Sequence, residues 1–173
     1  MILRTERLTL RPIETGDAGA VFRMMSNAEV MAYWDTAEID DPDIVDRIVA
    51  AQVDETLLGR SFYWSIIKAE GTGEAFIGCC DLSEVDRRHH RAEIGFLMTP
   101  QAWGDGYAQE AMTAVLEHAA SLDLRRLTAR THVGNSRTEA LLATLGFADE
   151  GVLHGYIDRE GERRDCRLWG MLL

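Results

Sequence analysis

Apolar and polar residues alternate through "RTERLTLRPI", the period of two expected of a half-buried strand. The pattern changes around Thr15 to Asp17, where a helix should start with Ala18, Val21, Phe22 and Met25 on one face. "DDPDIVDRIVAAQVDETLLG" predicts a second helix: Asp41 can cap it, Pro42 suits its first turn and Gly59 its end. "SFYWSIIKA" and "EAFIGCCDLSEV" read as strands joined by "EGTG", and "RAEIGFLM" is another strand after the polar turn "DRRHH". A long helix is expected from about Asp105, with Ala108, Met112, Val115, Ala119 and Leu122 forming one buried stripe. "RLTARTHV" reads as a strand and "NSRTEALLATLGF" as a short helix closed by Gly146. "FADEGVLHGYI" and "ERRDCRLWGMLL" form a final hairpin across "DREG". The order is strand, two helices, three strands, helix, strand, helix, two strands. It predicts a mixed α/β (α+β) domain over residues 1–173, with a mostly antiparallel central sheet of about six to seven strands flanked by about four helices.

Composition narrows the function. Of 173 residues, 46% are hydrophobic and 27% charged, ordinary proportions for a globular domain. No apolar run reaches the ~20 residues of a membrane span, and "MILRTERLTLRP" has charges where a signal peptide needs its apolar centre, so a cytoplasmic protein is expected. Cys79, Cys80 and Cys166 make no disulfide framework, and no Cys/His spacing matches a zinc site; no metal is expected. Cys79 and Cys80 should point to opposite faces of a strand and serve packing. The net charge of −11 disfavours nucleic acid as a partner and fits a cationic substrate.

The junction "WGDGYA" carries the strongest chemical signal. A strand running into a helix through a glycine-rich turn leaves the first helical N–H groups unpaired, and these with the helix dipole favour phosphates. Gly104 and Gly106 have no Cβ to keep a ligand from the backbone. A dinucleotide-binding G-x-G-x-x-G would need glycine where Gln109 stands, and no P-loop Gly-Lys-Ser/Thr is present.

"AEIGFLMTPQAWGDGYAQEA", followed by "VGNSRTEALLATLGF", resembles the two core motifs of the GNAT superfamily of acetyl-CoA-dependent N-acetyltransferases. "RTERLTLRPIETGDA" and "REGERRDCRLWGMLL" resemble its RimJ/RimL branch, which includes ribosomal-protein N-terminal acetyltransferases. The likeness covers nearly the whole chain and implies the GNAT fold with acetyl-CoA as co-substrate. It implies that the coenzyme A pyrophosphate rests on the N–H groups of Gly104, Asp105, Gly106, Tyr107 and Ala108, with Trp103 opening the motif and pantetheine along Leu97 and Met98 like an added strand. Trp103 stands where the family usually has Gln or Arg, and the Asp105 carboxylate must point to solvent to spare the pyrophosphate.

Amide formation needs a neutral amine, yet an alkylammonium has a pKa of ~10, so a base must take a proton. Glu93, inside an apolar strand and at the position of a catalytic glutamate in several branches, is the expected base; the alternative is an ion pair with Arg91 or another Arg across the sheet. Gly95 could mark a bulge opening that strand. Asn135 matches the family's contact to pantetheine or acceptor, and it or Ser136 can cap the next helix, Ser136 with Glu139 as a capping box. The tyrosine that many members use to protonate the leaving thiol is replaced by Leu142. Thr138, matching a serine of the RimL type, is the expected thiol partner, with Tyr156 as fallback. Arg137 could meet a coenzyme A phosphate. Tyr33, Trp34 and Asp35 could frame a pocket for a cationic amine, and Asp165 matches an acidic residue with a structural or substrate-facing role. His89 and His90 should face solvent; His118 and Glu117 should have no chemistry. The reading is a direct transfer to a small-molecule or peptide amine, without nucleic acid or membrane. Monomer or homodimer, a non-catalytic acyl-CoA-sensing module and a detoxifying enzyme for antibiotics, polyamines or amino acids stay open.

Overall fold

The N-terminal alternating run is split in two by its own threonine. The computed structural model describes residues 1–70 and 73–173. β1 (Leu3–Arg4) and β2 (Leu8–Pro12) flank a turn in which Thr5 Oγ1 accepts from Leu8 N at 2.9 Å. A 3-10 turn over Thr15–Asp17 leads into α1 (Ala18–Met25). Next comes α2 (Ala28–Met31), one turn capped by Asn27 and too short to show a helical repeat. α3 (Pro42–Leu57) starts as expected, with Asp41 Oδ1 accepting from Asp43 N at 2.9 Å. β3 (Phe62–Glu70), β4 (Gly73–Asp86), β5 (Arg91–Met98), α4 (Tyr107–Ser121), β6 (Arg126–His132), α5 (Ser136–Thr144), β7 (Ala148–Arg159) and β8 (Glu162–Leu172) follow in the expected order. Gly71 and Thr72 of the "EGTG" turn lie outside the described residues. Among the described residues the split N-terminal run and α2 raise the count to eight strands and five α-helices, above the six to seven strands and four helices expected.

The strands form one sheet in the order β1-β2-β3-β4-β5-β6-β8-β7, and every neighbouring pair is antiparallel except β5 and β6. That exception shapes the molecule. The parallel ladder joins Arg91–Glu93 to Arg126–Thr128 and stops there, so beyond Glu93 the two strands share no ladder pairing among the described residues. Gly95 is not a bulge, contrary to expectation: it stays in register with Asp81 of β4, and the irregularity of that pair lies between Ser83 and Asp86. The opening comes from the departure of β6.

Strand periodicity sorts side chains onto two faces. Cys80, Leu82, Ile94, Leu127 and Ala129 pack with Ala111, Met112, Val115 and Ala119 of α4. On the other face Cys79, Tyr63 and Leu97 meet Val21, Met24, Met31, Val45 and Val49 from the N-terminal helices. The adjacent cysteines thus serve opposite cores. Each fully buried Val or Leu here contributes about 1.5–3 kcal/mol, which holds the sheet rigid where the strands part. Among the described residues no helix is long and apolar enough to cross a membrane.

Candidate active site

The glycine turn is built and braced as a ligand cradle. After β5 the chain makes a short 3-10 turn (Pro100–Ala102), and Gly104 and Gly106 then take left-handed φ values of 87° and 79°. Gly106 is the N-cap of α4, and no side chain caps that helix, so its leading N–H groups keep their hydrogen-bonding capacity. From behind, Arg7 Nη1 donates to Asp105 O at 3.0 Å while Arg7 Nε and N donate to the carboxylate of Glu110 at 2.6 and 2.8 Å. Thr5 Oγ1 donates to the same carboxylate. The Arg7 guanidinium also covers the buried ring of Tyr107, 4.4 Å from its centroid. Asp105 itself is exposed, as a pyrophosphate neighbour requires. Trp103 has a use of its own: its Nε1 donates to Met98 O at 3.1 Å, and the guanidinium of Arg137 stacks over its ring at 4.4 Å.

Where β5 and β6 part, a cleft of about 710 Å³ opens. Leu97, Met98, Trp103, Gly104, Gly106, Tyr107 and Ala108 line it from β5 and α4, and Asn135, Arg137 and Thr138 from the start of α5. Asn135, not Ser136, caps α5, accepting from Thr138 N at 3.3 Å; Glu139 turns instead to Arg167 at 3.4 Å, so the expected capping box does not form. Leu142 is a core residue, 1% exposed, so no acid stands at that position.

Tyr33, Trp34 and Asp35 line the same cleft from the segment after α2. Arg159 fixes that segment: buried on β7, it donates through Nη1 to the carbonyls of Met31, Ala32 and Trp34 at 2.8, 3.0 and 3.3 Å. Asp35 Oδ1 lies 3.1 Å from Nε2 of buried His132 on β6. Two further carboxylates face the cleft from the sheet. Glu93 is held by Arg130, whose Nε donates to both carboxylate oxygens at 2.9 Å and whose Nη2 donates to Oε1 at 2.7 Å. Burial raises the Glu93 carboxyl against the pull of Arg130, and Glu93 in turn raises Arg130. Asp81, on β4, accepts from Ser83 Oγ at 2.7 Å through Oδ2, and burial pushes its carboxyl up to about 6.

Asp165 and Tyr156 do not line the cleft, although Arg130 Nη1 donates to the Tyr156 hydroxyl at 3.4 Å. Asp165 accepts from Gly155 N at 2.8 Å, lies 2.9 Å from His154 Nδ1 and does not line the cleft; it orders the bulged part of β7. Tyr156 is half exposed and outside the cleft lining, with Arg130 5.5 Å from its ring centroid. His89 and His90 sit at the turn beside Asp86 and Asp123, and His118 is buried edge-on against Phe62 and Trp64.

Asp81, Arg159, His132 and the Arg7–Glu110 brace are absent from the sequence reading, while the alternative of an arginine across the sheet for Glu93 is realised by Arg130. The one visible signal was an arginine inside the apolar strand "RLTARTHV", the counterpart of a glutamate inside "RAEIGF".

The acetyltransferase (GNAT) domain family matches residues 7–148. The uncharacterized N-acetyltransferase p20 of Bacillus licheniformis is 33% identical over 171 residues, covering 98% of this chain and 95% of that protein. The spermidine N(1)-acetyltransferase of Vibrio cholerae is 24% identical over 148 residues, 85% of this chain and 82% of the relative. Among solved structures, the Salmonella typhimurium acetyltransferase that modifies the N-terminal serine of ribosomal protein L7/L12 superposes with a TM-score of 0.89 at 17% identity, covering 100% of this chain and 99% of that one.

Proposed function

The chain belongs to the GNAT acetyltransferase family and draws its acetyl group from acetyl-CoA, and from that premise we propose that it acetylates a primary amine on a small cationic acceptor. One observation carries the reading: a single cleft joins the braced glycine turn to a group of carboxylates, Asp35, Asp81 and Glu93. The turn suits a pyrophosphate, since unpaired N–H groups and the helix dipole converge there. The open edge of β5 beyond Glu93 suits pantetheine, whose amides can add to a strand edge as a peptide does. Arg137, fixed on Trp103, suits a phosphate oxygen. Thr138 offers the departing sulfur a hydroxyl hydrogen.

The acceptor side is anionic, as a polycation would need. Asp35 and Asp81 supply that charge, Asp35 from a segment pinned by Arg159, while Glu93 is balanced by its ion pair with Arg130. The likeness to spermidine N(1)-acetyltransferases supports the same class. A release assay for coenzyme A thiol across spermidine, aminoglycosides, amino acids and alanine-led peptides tests it. Spermidine-like amines are expected to lead; a preference for the peptides would move the protein to the protein-N-terminus class.

A further inference from the structure

We propose that Asp81, rather than Glu93, takes the proton from the acceptor amine. The inference rests on the acetyltransfer reading above and adds the identity of its base.

The two carboxylates differ in what remains free. Both oxygens of Glu93 accept from Arg130 in a forked pair, and the adjoining cation opposes protonation of that carboxylate. Asp81 is engaged on one side only: Ser83 holds Oδ2, and Oδ1 accepts no protein hydrogen bond among the described residues. That free oxygen lies over Gly95, its cross-strand partner. A Cβ on Gly95 would come 2.7 Å from Oδ1 and 3.3 Å from Cγ. The missing side chain lets the carboxylate reach across β5 toward the opening between β5 and β6, and both residues line the cleft. Gly95 has no left-handed φ, so backbone conformation does not account for the glycine. The position adjoins the β5 edge proposed for pantetheine, whose acetyl end must lie within reach of the acceptor.

The step balances as follows. Asp81 Oδ1 takes one proton from the acceptor ammonium. The freed nitrogen pair bonds to the acetyl carbonyl carbon, the carbon–sulfur bond breaks, and the second nitrogen-bound proton passes to the thiolate, with Thr138 beside it. Asp81 then returns its proton to solvent. A carboxyl held near 6 suits a base working at neutral pH, being ionised yet more basic than a free aspartate. The ionisable groups facing Asp81 are Tyr63 on β3, Cys79 on β4 and Glu93 on β5; Glu93 adds to the upward shift, and Arg130 on β6 is committed to Glu93.

Asp81→Asn, nearly isosteric, and Gly95→Ala, which displaces Oδ1, test this with acetyl-CoA and spermidine across the pH range. Both are expected to lower kcat/KM about 10²–10³-fold with acetyl-CoA affinity by calorimetry unchanged. Asp81→Asn should also erase the acid limb of the pH profile, and Glu93→Gln should keep that limb while raising KM for spermidine. A wild-type rate and limb in Asp81→Asn, or loss of the limb in Glu93→Gln, would overturn the assignment. If the wild-type chain releases no thiol with spermidine, the cationic-acceptor reading fails separately. Asp81 is then scored by the same variants with the alanine-led peptide.

Discussion

Replacing Asp81 by asparagine should make the protein more stable while disabling it. The folded carboxyl is raised from 3.8 to about 6. The folded state therefore binds this proton more tightly than the unfolded chain, and stability falls as pH rises between the two values. A shift of about two units is worth about 3 kcal/mol at neutral pH, an upper figure because cleft water screens part of it. Asparagine keeps the shape and can still accept from Ser83, so the variant should gain about 1–3 kcal/mol near pH 7.5, or roughly 2–10 °C in Tm for a chain of this size. Calorimetric melts of both proteins read it directly. The gap should be widest above pH ~7 and shrink to about half by pH ~5, where wild-type Asp81 is mostly protonated. Equal melting temperatures at neutral pH, or a gap indifferent to pH, would refute the claim that this carboxylate is held ionised at a cost.

Three further outcomes follow from the same geometry. Gly106→Val puts a β-branched side chain at φ 79°, a strained conformation, so acetyl-CoA affinity by calorimetry should fall at least ~100-fold; unchanged affinity would reject the turn as the phosphate site. Arg130→Met leaves Glu93 enclosed without its partner and should destabilise by about 1–3 kcal/mol in denaturant titrations at neutral pH, with Glu93→Gln restoring most of the loss. Thr138→Ala should lower kcat about tenfold with acetyl-CoA affinity kept, and Thr138→Ser should recover it; an unaffected kcat would remove the hydroxyl from the reaction.

What the sequence revealed was local, and what it hid was lateral. α3 and α4 follow from apolar periodicity and from caps such as Asp41. The turn at Gly104 and Gly106 follows from the change of period beside two glycines. α2 escaped because one turn has no period. The pairing of Glu93 with Arg130 depends on a parallel register set by the whole α4 crossover, which no short-range pattern encodes. Asp81 was hidden for a related reason: "IGCCDLS" reads as a strand, and only the β4–β5 register shows that a glycine across the ladder makes room for its carboxylate. The asymmetry between Gly104 and Gly95 is instructive. One glycine is required by backbone conformation and reads as a turn; the other is required by a neighbour's side chain, which no local pattern shows.

The most direct test of the account is a crystal structure of the protein with coenzyme A bound. The pyrophosphate should lie on the backbone N–H groups between Gly104 and Ala108, with pantetheine in the gap between β5 and β6. A coenzyme lodged on another face, or a gap closed by side chains while the coenzyme is bound, would contradict it.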